Sequence, residues 1–154
     1  MAQKTQIQAE EGKQDLVITR TFDLPLELLF KAYVDPEIVA QWMGTKVLKL
    51  ESMAHGGYRF ETTDPTGNKH LFNGTIHSCI PNQSIVRTFE MENTNFPVQI
   101  EYLTFEELGP NQSKLQMHIV YKSGTDRDNM LKLPFAQGIN MAHNRLQEYA
   151  NTLK

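Results

Sequence analysis

The chain has a single cysteine, Cys79, so no internal disulfide can staple it and its stability must come from a buried core. That usage agrees with a reducing compartment, and a cytoplasmic protein is the expectation. There is no run of roughly 18 apolar residues of the kind that spans a membrane, and Met1 to Gln14 is polar, without the apolar stretch of a signal peptide. A basic stripe is also missing: 15 lysines and arginines are scattered among 18 acidic residues for a net charge of −3, which argues against nucleic acid and anionic lipid as partners. No Gly-Lys-Ser/Thr phosphate loop, dinucleotide fingerprint, Gly-x-Ser-x-Gly elbow or Cys/His motif is found. His55, His70, His77, His118 and His143 show no metal spacing. Neither a metal nor another cofactor is therefore expected. Enzymatic activity stays open but is the less favoured reading, since no motif marks its acid–base residues.

What is present fits one globular domain: 154 residues, 40% hydrophobic and 21% charged. Residues 1–14, rich in Gln, Lys and Glu, read as a flexible tail, which leaves 15–154 as the folded unit. Leu16 to Phe22 is β-branched and apolar and stops at Asp23-Leu24-Pro25, so it reads as a strand. From Pro25, Leu26, Leu29, Phe30 and Tyr33 recur at helical spacing; Asp35-Pro36-Glu37 then starts a second short helix that Gly44 ends. Apolar runs follow at intervals of about 12–15 residues between turn residues, the pattern of an antiparallel meander. The strands fall at about 46–54, 57–63, 70–80, 84–92, 98–107 and 113–121. Asp64-Pro65-Thr66-Gly67-Asn68 carries the clearest hairpin signal. Phe135, Ile139, Ala142, Leu146, Tyr149 and Leu153 repeat at three- and four-residue steps, which predicts a helix of about 30 Å from Pro134 to Leu153. Whether 126–133 forms its first turns, kinked at Pro134, or a separate loop is open at this point.

Ile18-Thr19-Arg20-Thr21-Phe22-Asp23 with Pro25, then Leu29-Phe30-Lys31-Ala32-Tyr33 with Asp35-Pro36-Glu37, and Gln41-Trp42, resemble the opening of the activator of heat-shock-protein-90 ATPase homologue-like family. Gly56-Gly57-Tyr58-Arg59-Phe60, Gly67, Phe72-x-Gly74 and Gly138 continue the pattern, so the resemblance covers about 15–153. It departs where the family often has Trp-Trp-Gly-Pro and this chain has Trp42-Met43-Gly44-Thr45. The element order and the resemblance together imply an α+β helix-grip fold of the START and pollen-allergen type. In it a seven-stranded curved antiparallel sheet wraps a long C-terminal helix, with two short helices after the first strand. The resemblance further implies a cavity between sheet and helix that binds a small hydrophobic molecule, the chain acting as carrier or sensor, as a monomer or homodimer. Two alternatives stay beside it: a chaperone partner, with the chain regulating a heat-shock-protein-90-type ATPase, and an enzyme of the polyketide-cyclase type.

A bent sheet and one straight helix cannot fill the space between them as two flat layers would, so large inward side chains or a ligand must close it. Strand alternation puts Tyr58 with Phe60 on one face, Phe72 with Gly74 and Ile76 on one, and Met117 with Leu115, Ile119 and Tyr121 on one. The candidate lining is Trp42, Tyr58, Phe60, Phe72, Ile76, Glu101, Met117, Phe135, Ile139 and His143. A tight core would use the same residue types. Glu101 shares a face with Leu103 and Phe105. If that face is concave, its carboxylate is desolvated and needs a partner; in the other register, the favoured one, Ile100 and Tyr102 point inward and Glu101 meets solvent. The enzyme alternative would rest on Glu101 with His143. Arg20, Arg59 and Arg87 are expected to pair with strand carboxylates on the outer face. Gly56, Gly57 and Gly74 mark bends or close backbone approach. Gly138, which costs about 1 kcal/mol relative to alanine inside a helix, either makes room for a neighbour or is simply tolerated.

Overall fold

Every second side chain from Leu16 to Phe22 is buried, as the period-two hydrophobic pattern of Asp15–Phe22 demands. The same logic builds the rest of the sheet in the computed structural model, which describes residues 4–154. In chain order the elements are β1 (Gln6–Gln8), β2 (Asp15–Phe22), α1 (Leu26–Val34), α2 (Pro36–Met43), β3 (Lys46–Leu50), β4 (Gly57–Thr63), β5 (Lys69–Ile80), β6 (Ser84–Met91), β7 (Gln99–Gly109), β8 (Gln112–Val120), α3 (Gly124–Leu131) and α4 (Phe135–Asn151). The strands form one antiparallel sheet in the order β1-β2-β8-β7-β6-β5-β4-β3. The α+β helix-grip architecture is the expected one.

Two details differ from the sequence reading. The sheet has 8 strands rather than seven, because part of the stretch read as a tail pairs with β2, with Ile7 opposite Ile18 and half-buried against the core. Gln6-Ile7-Gln8 alternates correctly, but three residues are too few for a periodic signal. Residues 1–3 lie outside the described residues. The stretch before the last helix is neither its first turns nor a loop but a separate short helix, α3, opened by Ser123, whose hydroxyl accepts from the Asp126 amide at 3.1 Å. Elsewhere the local signals hold. Asp35 accepts from the Glu37 amide at 2.9 Å to start α2, and Gly44 ends it at φ 59°, a left-handed position that suits glycine.

The connectivity orients the grip. Because α3 follows directly on β8, α4 begins at the end of the sheet where β6 finishes and β7 starts. It runs to the opposite end, where Gln147 accepts from the Asp23 amide at 2.8 Å just after β2. Along this path α4 lies nearest α2 and α1, and α1 sits on β7 and β8. The second half of α4 is tightly held: Leu146 and Ala150 are buried in one cluster with Phe22, Leu24, Leu29 and Leu115, and His143 is buried beside the Phe22 ring. The first half is not, since Phe135, Ile139 and Ala142 are only half-buried. Gly138 is exposed there, and a Cβ on it would meet nothing within 4 Å, so it makes room for no protein neighbour. Among the described residues no helix is long and apolar enough to cross a membrane.

Gly74, like Gly56, is a glycine that close packing requires. A Cβ there would overlap the Thr88 carbonyl oxygen and the ring of Tyr58, which lies across β5 to donate its hydroxyl to that same carbonyl. Gly74→Ala is expected to lose about 1–3 kcal/mol by the cost of overpacking, read from urea unfolding. A loss below about 0.5 kcal/mol, the range of an ordinary surface change, would show that Tyr58 does not cross at this point.

Candidate functional site

The concave face of the sheet carries a buried polar cluster at its centre. Strand pairing sets Arg87 of β6 opposite Glu101 of β7, and Arg87 Nε donates to Glu101 Oε1 at 2.9 Å. Gln99 Nε2 donates to Glu101 Oε2 at 2.9 Å, so each carboxylate oxygen has a partner. Arg87 also stacks on Tyr58, with its guanidinium carbon 5.3 Å from the ring centroid. Glu101 is 5% exposed, whereas Ile100 and Tyr102 are 40% and 43% exposed. The favoured register of the sequence reading is therefore overturned: Glu101 faces inward, because Arg87 comes from the next strand to compensate its desolvation. The outer-face expectation for the arginines is corrected with it. Arg59 does pair outside, with Glu92 at 2.9 Å, but Arg87 and Arg20 are on the inner face.

Tyr33, Tyr58 and Tyr121 surround this cluster, and burial pushes all three hydroxyls up from their ordinary value, so they act as donors at neutral pH. Tyr58 donates to Thr88. Tyr121, just after β8, has a buried hydroxyl with no partner, one of the two such side-chain atoms among the described residues. An unmade bond of this kind costs about 1–3 kcal/mol.

The sequence-derived lining residues divide between a packed half and a slack half. Trp42, Tyr58, Phe60, Ile76 and Met117 are buried in the main cluster. Trp42 is fixed as core, with Nε1 donating to the Ala32 carbonyl at 2.7 Å and the ring 5.2 Å from Tyr33. Phe72, Phe135 and Ile139 are half-buried instead. Phe72 stacks on Phe89 at 5.6 Å, and cross-strand pairing with Met91 and Gln99 places all of these on the concave face. They stand at the end of the sheet where α4 begins, the end also occupied by Gln99 and Tyr121. Thus most of the inner face is buried, and the half-buried side chains are Phe72, Phe89 and Met91 on the sheet with Phe135 and Ile139 on α4.

His143 is not beside Glu101. It is buried at the other end, 5.5 Å from the Phe22 ring, with Nδ1 2.6 Å from Thr5 Oγ1. Burial, with Arg20 adding to it, pushes its pKa down to about 3. Glu101 and His143 are each bonded to other partners, so the acid–base couple on which the enzyme alternative rested is not assembled. The sequence reading missed Arg87, Gln99 and Phe89. Arg87 and Phe89 share a face with Ile85 in β6, a period-two signal that was available.

Residues 23–151 match the family described as Activator of Hsp90 ATPase homolog 1-like protein. No curated protein matches the chain in sequence. Among solved structures, a protein from Rhodobacter sphaeroides superposes with a TM-score of 0.84 at 19% identity, over 95% of this chain and 98% of its own. One from Mycobacterium smegmatis gives 0.85 at 20% identity, over 95% and 96%. A protein in the dynemicin biosynthetic locus gives 0.71 at 16% identity, over 92% of this chain and 49% of its own. At these identities the likeness shows a shared fold.

Proposed function

The chain belongs to the Activator of Hsp90 ATPase homolog 1-like family, and from that premise we propose that it binds a small hydrophobic molecule with one polar end, as carrier or sensor. The ligand lies at the slack end of the grip, between Phe72, Phe89 and Met91 on the sheet and Phe135 and Ile139 on α4. Its polar end accepts a hydrogen bond from Tyr121. The single observation that carries this reading is the half-buried aromatic patch on an inner face that is sealed elsewhere, with a partnerless buried hydroxyl at the same end. Apolar surface left partly wet beneath a helix gains free energy when a ligand covers it, at about 25 cal/mol per Å². The parallel stack of Phe72 on Phe89 supports including flat aromatic compounds beside fatty acids among the candidates.

The test is thermal and urea stability against a panel of fatty acids and flat aromatic molecules. A ligand present at 100 times its dissociation constant adds about 2.7 kcal/mol of stability. Phe89→Ser should remove that gain, while Tyr121→Phe should weaken the ligand by roughly threefold to tenfold, the worth of one hydrogen bond. Absence of stabilisation by every class would defeat the reading. A change in the ATP turnover of a heat-shock-protein-90-type chaperone on adding this chain would then favour the regulator alternative.

A further inference from the structure

A hollow lies against α4 on the side of Asn140, Asn144 and Glu148, away from the aromatic patch. It has a volume of about 330 Å³, at the small end of the roughly 300–1,000 Å³ range of ligand pockets. Arg20 of β2 and Asp23 just beyond it form one side, and Asn140, Asn144 and Glu148 of α4 form the other. Arg20 is only 3% exposed, yet among the described residues no carboxylate lies within ion-pair distance of it. Its Nη1 makes two long contacts, to Thr5 Oγ1 at 3.4 Å and Asn140 Oδ1 at 3.3 Å, and its Nε has no partner at all.

A guanidinium removed from water is stable only when an anion or a full set of acceptors replaces the water. Arg20 has neither. The same hollow holds the carboxylates of Asp23 and Glu148 and the amide of Asn144, none of which has a side-chain hydrogen bond among the described residues; Asp23 uses only its backbone, toward Gln147. If charge balance within the chain were the only demand, Arg20 and Asp23 would close on each other, being neighbours in sequence and lining one hollow. They do not.

Unpaired charge of both signs therefore faces one small cavity. A plain anion would satisfy Arg20 but meet two carboxylates, and a plain cation would meet a buried guanidinium. A molecule carrying both charges satisfies each side. We propose that this hollow binds a small zwitterion of the amino-acid type. Its carboxylate lies on the planar fork of Arg20, supported by Lys4 at the rim, its ammonium lies toward Asp23 and Glu148, and the Asn144 amide takes a remaining polar group.

The test is calorimetric titration of the full chain with glycine, L-serine and L-glutamate, with acetate and ethylamine carrying one charge each. In parallel, ¹H–¹⁵N spectra follow the arginine Nε–H signals. At least one amino acid should bind saturably and move the Arg20 Nε–H resonance, with acetate and ethylamine weaker by about tenfold or more, the worth of one charge-assisted pair. Arg20→Gln should abolish binding. Because that variant removes a buried residue, Asp23→Asn and Glu148→Gln serve as well: both side chains are at the surface, both variants should keep the wild-type circular dichroism spectrum, and each should weaken the amino acid by about tenfold. No saturable amino-acid binding, acetate binding as tightly as the amino acids, or unchanged affinity in Asp23→Asn and Glu148→Gln would each overturn the proposal.

Discussion

Glu101→Ala is expected to destabilise the fold by about 3–5 kcal/mol, the cost of leaving a buried charge without its partner. The side chains of Arg87 and Glu101 are 13% and 6% exposed, so water cannot screen the orphaned guanidinium. The loss should reach Gln99 too, whose side-chain amide donates to the same carboxylate. Urea unfolding at neutral pH reads it. The control is the double change Arg87→Met with Glu101→Leu, which replaces both charges by apolar volume and should recover most of the loss, since removing a buried pair entirely is often close to neutral. A cost below about 1 kcal/mol for Glu101→Ala, the range of a surface pair, would mean that the carboxylate is solvated after all. The result also bears on function. A carboxylate spent on holding two strands together is a structural residue, and its replacement should lower stability before it alters any binding.

The second large effect is on acid stability, through His143. Its pKa is about 3 in the folded chain against an ordinary value of 6.5, because burial and the neighbouring Arg20 both disfavour the charged ring. Between those two values the unfolded chain holds a proton that the folded chain does not, so stability rises with pH across the window. The contribution is complete above about pH 6.5 and is lost as pH falls, at about 1.4 kcal/mol per unit. From pH 7 to pH 5 the loss should be about 2 kcal/mol. Carboxylates held low by hydrogen bonds, such as Glu92 beside Arg59 and Asp64 beside His70, add their own losses below about pH 5. His143→Asn keeps an acceptor for Thr5 and removes the titration. It should be less stable at pH 7 but nearly flat from pH 6.5 to 5. An equal slope in both proteins would place the proton elsewhere.

Much of this architecture is legible in the residues, for reasons that are local. Asp35 and Gly44 bound α2 by their own chemistry, and Asp64 with Gly67 closes the β4–β5 hairpin, Asp64 accepting from the Thr66 and Asn68 amides at 2.9 Å. Those signals need no distant partner. The register of β7 is not legible in the sequence because its first half inverts the usual rule: Gln99 and Glu101 point in while Ile100 and Tyr102 point out. Only pairing with β6, which brings Arg87 to Glu101, makes that inversion affordable, and such pairing is not written in any one strand. Leu103 and Phe105, further along, carry the correct alternation and would have settled it if read backward. Arg20 was misplaced for a related reason, since a buried arginine without a carboxylate contradicts the prior that charged residues face water. The slackness of one end of the grip was not readable either. Phe72, Phe135 and Ile139 look like any core residues in sequence, and only their partial exposure in three dimensions separates them from Phe60 and Met117.

The central claim is that the uncovered end of the concave face receives an apolar ligand, and ¹³C-methyl NMR during titration with dodecanoate tests it most directly. Shifts are expected at the methyls of Met91, Ile139 and Ala142, with Leu24, Leu115 and Leu146 unmoved in the sealed half. Undisturbed spectra at saturating dodecanoate, or shifts confined to the outward-facing Leu48, Met53 and Met141, would contradict it.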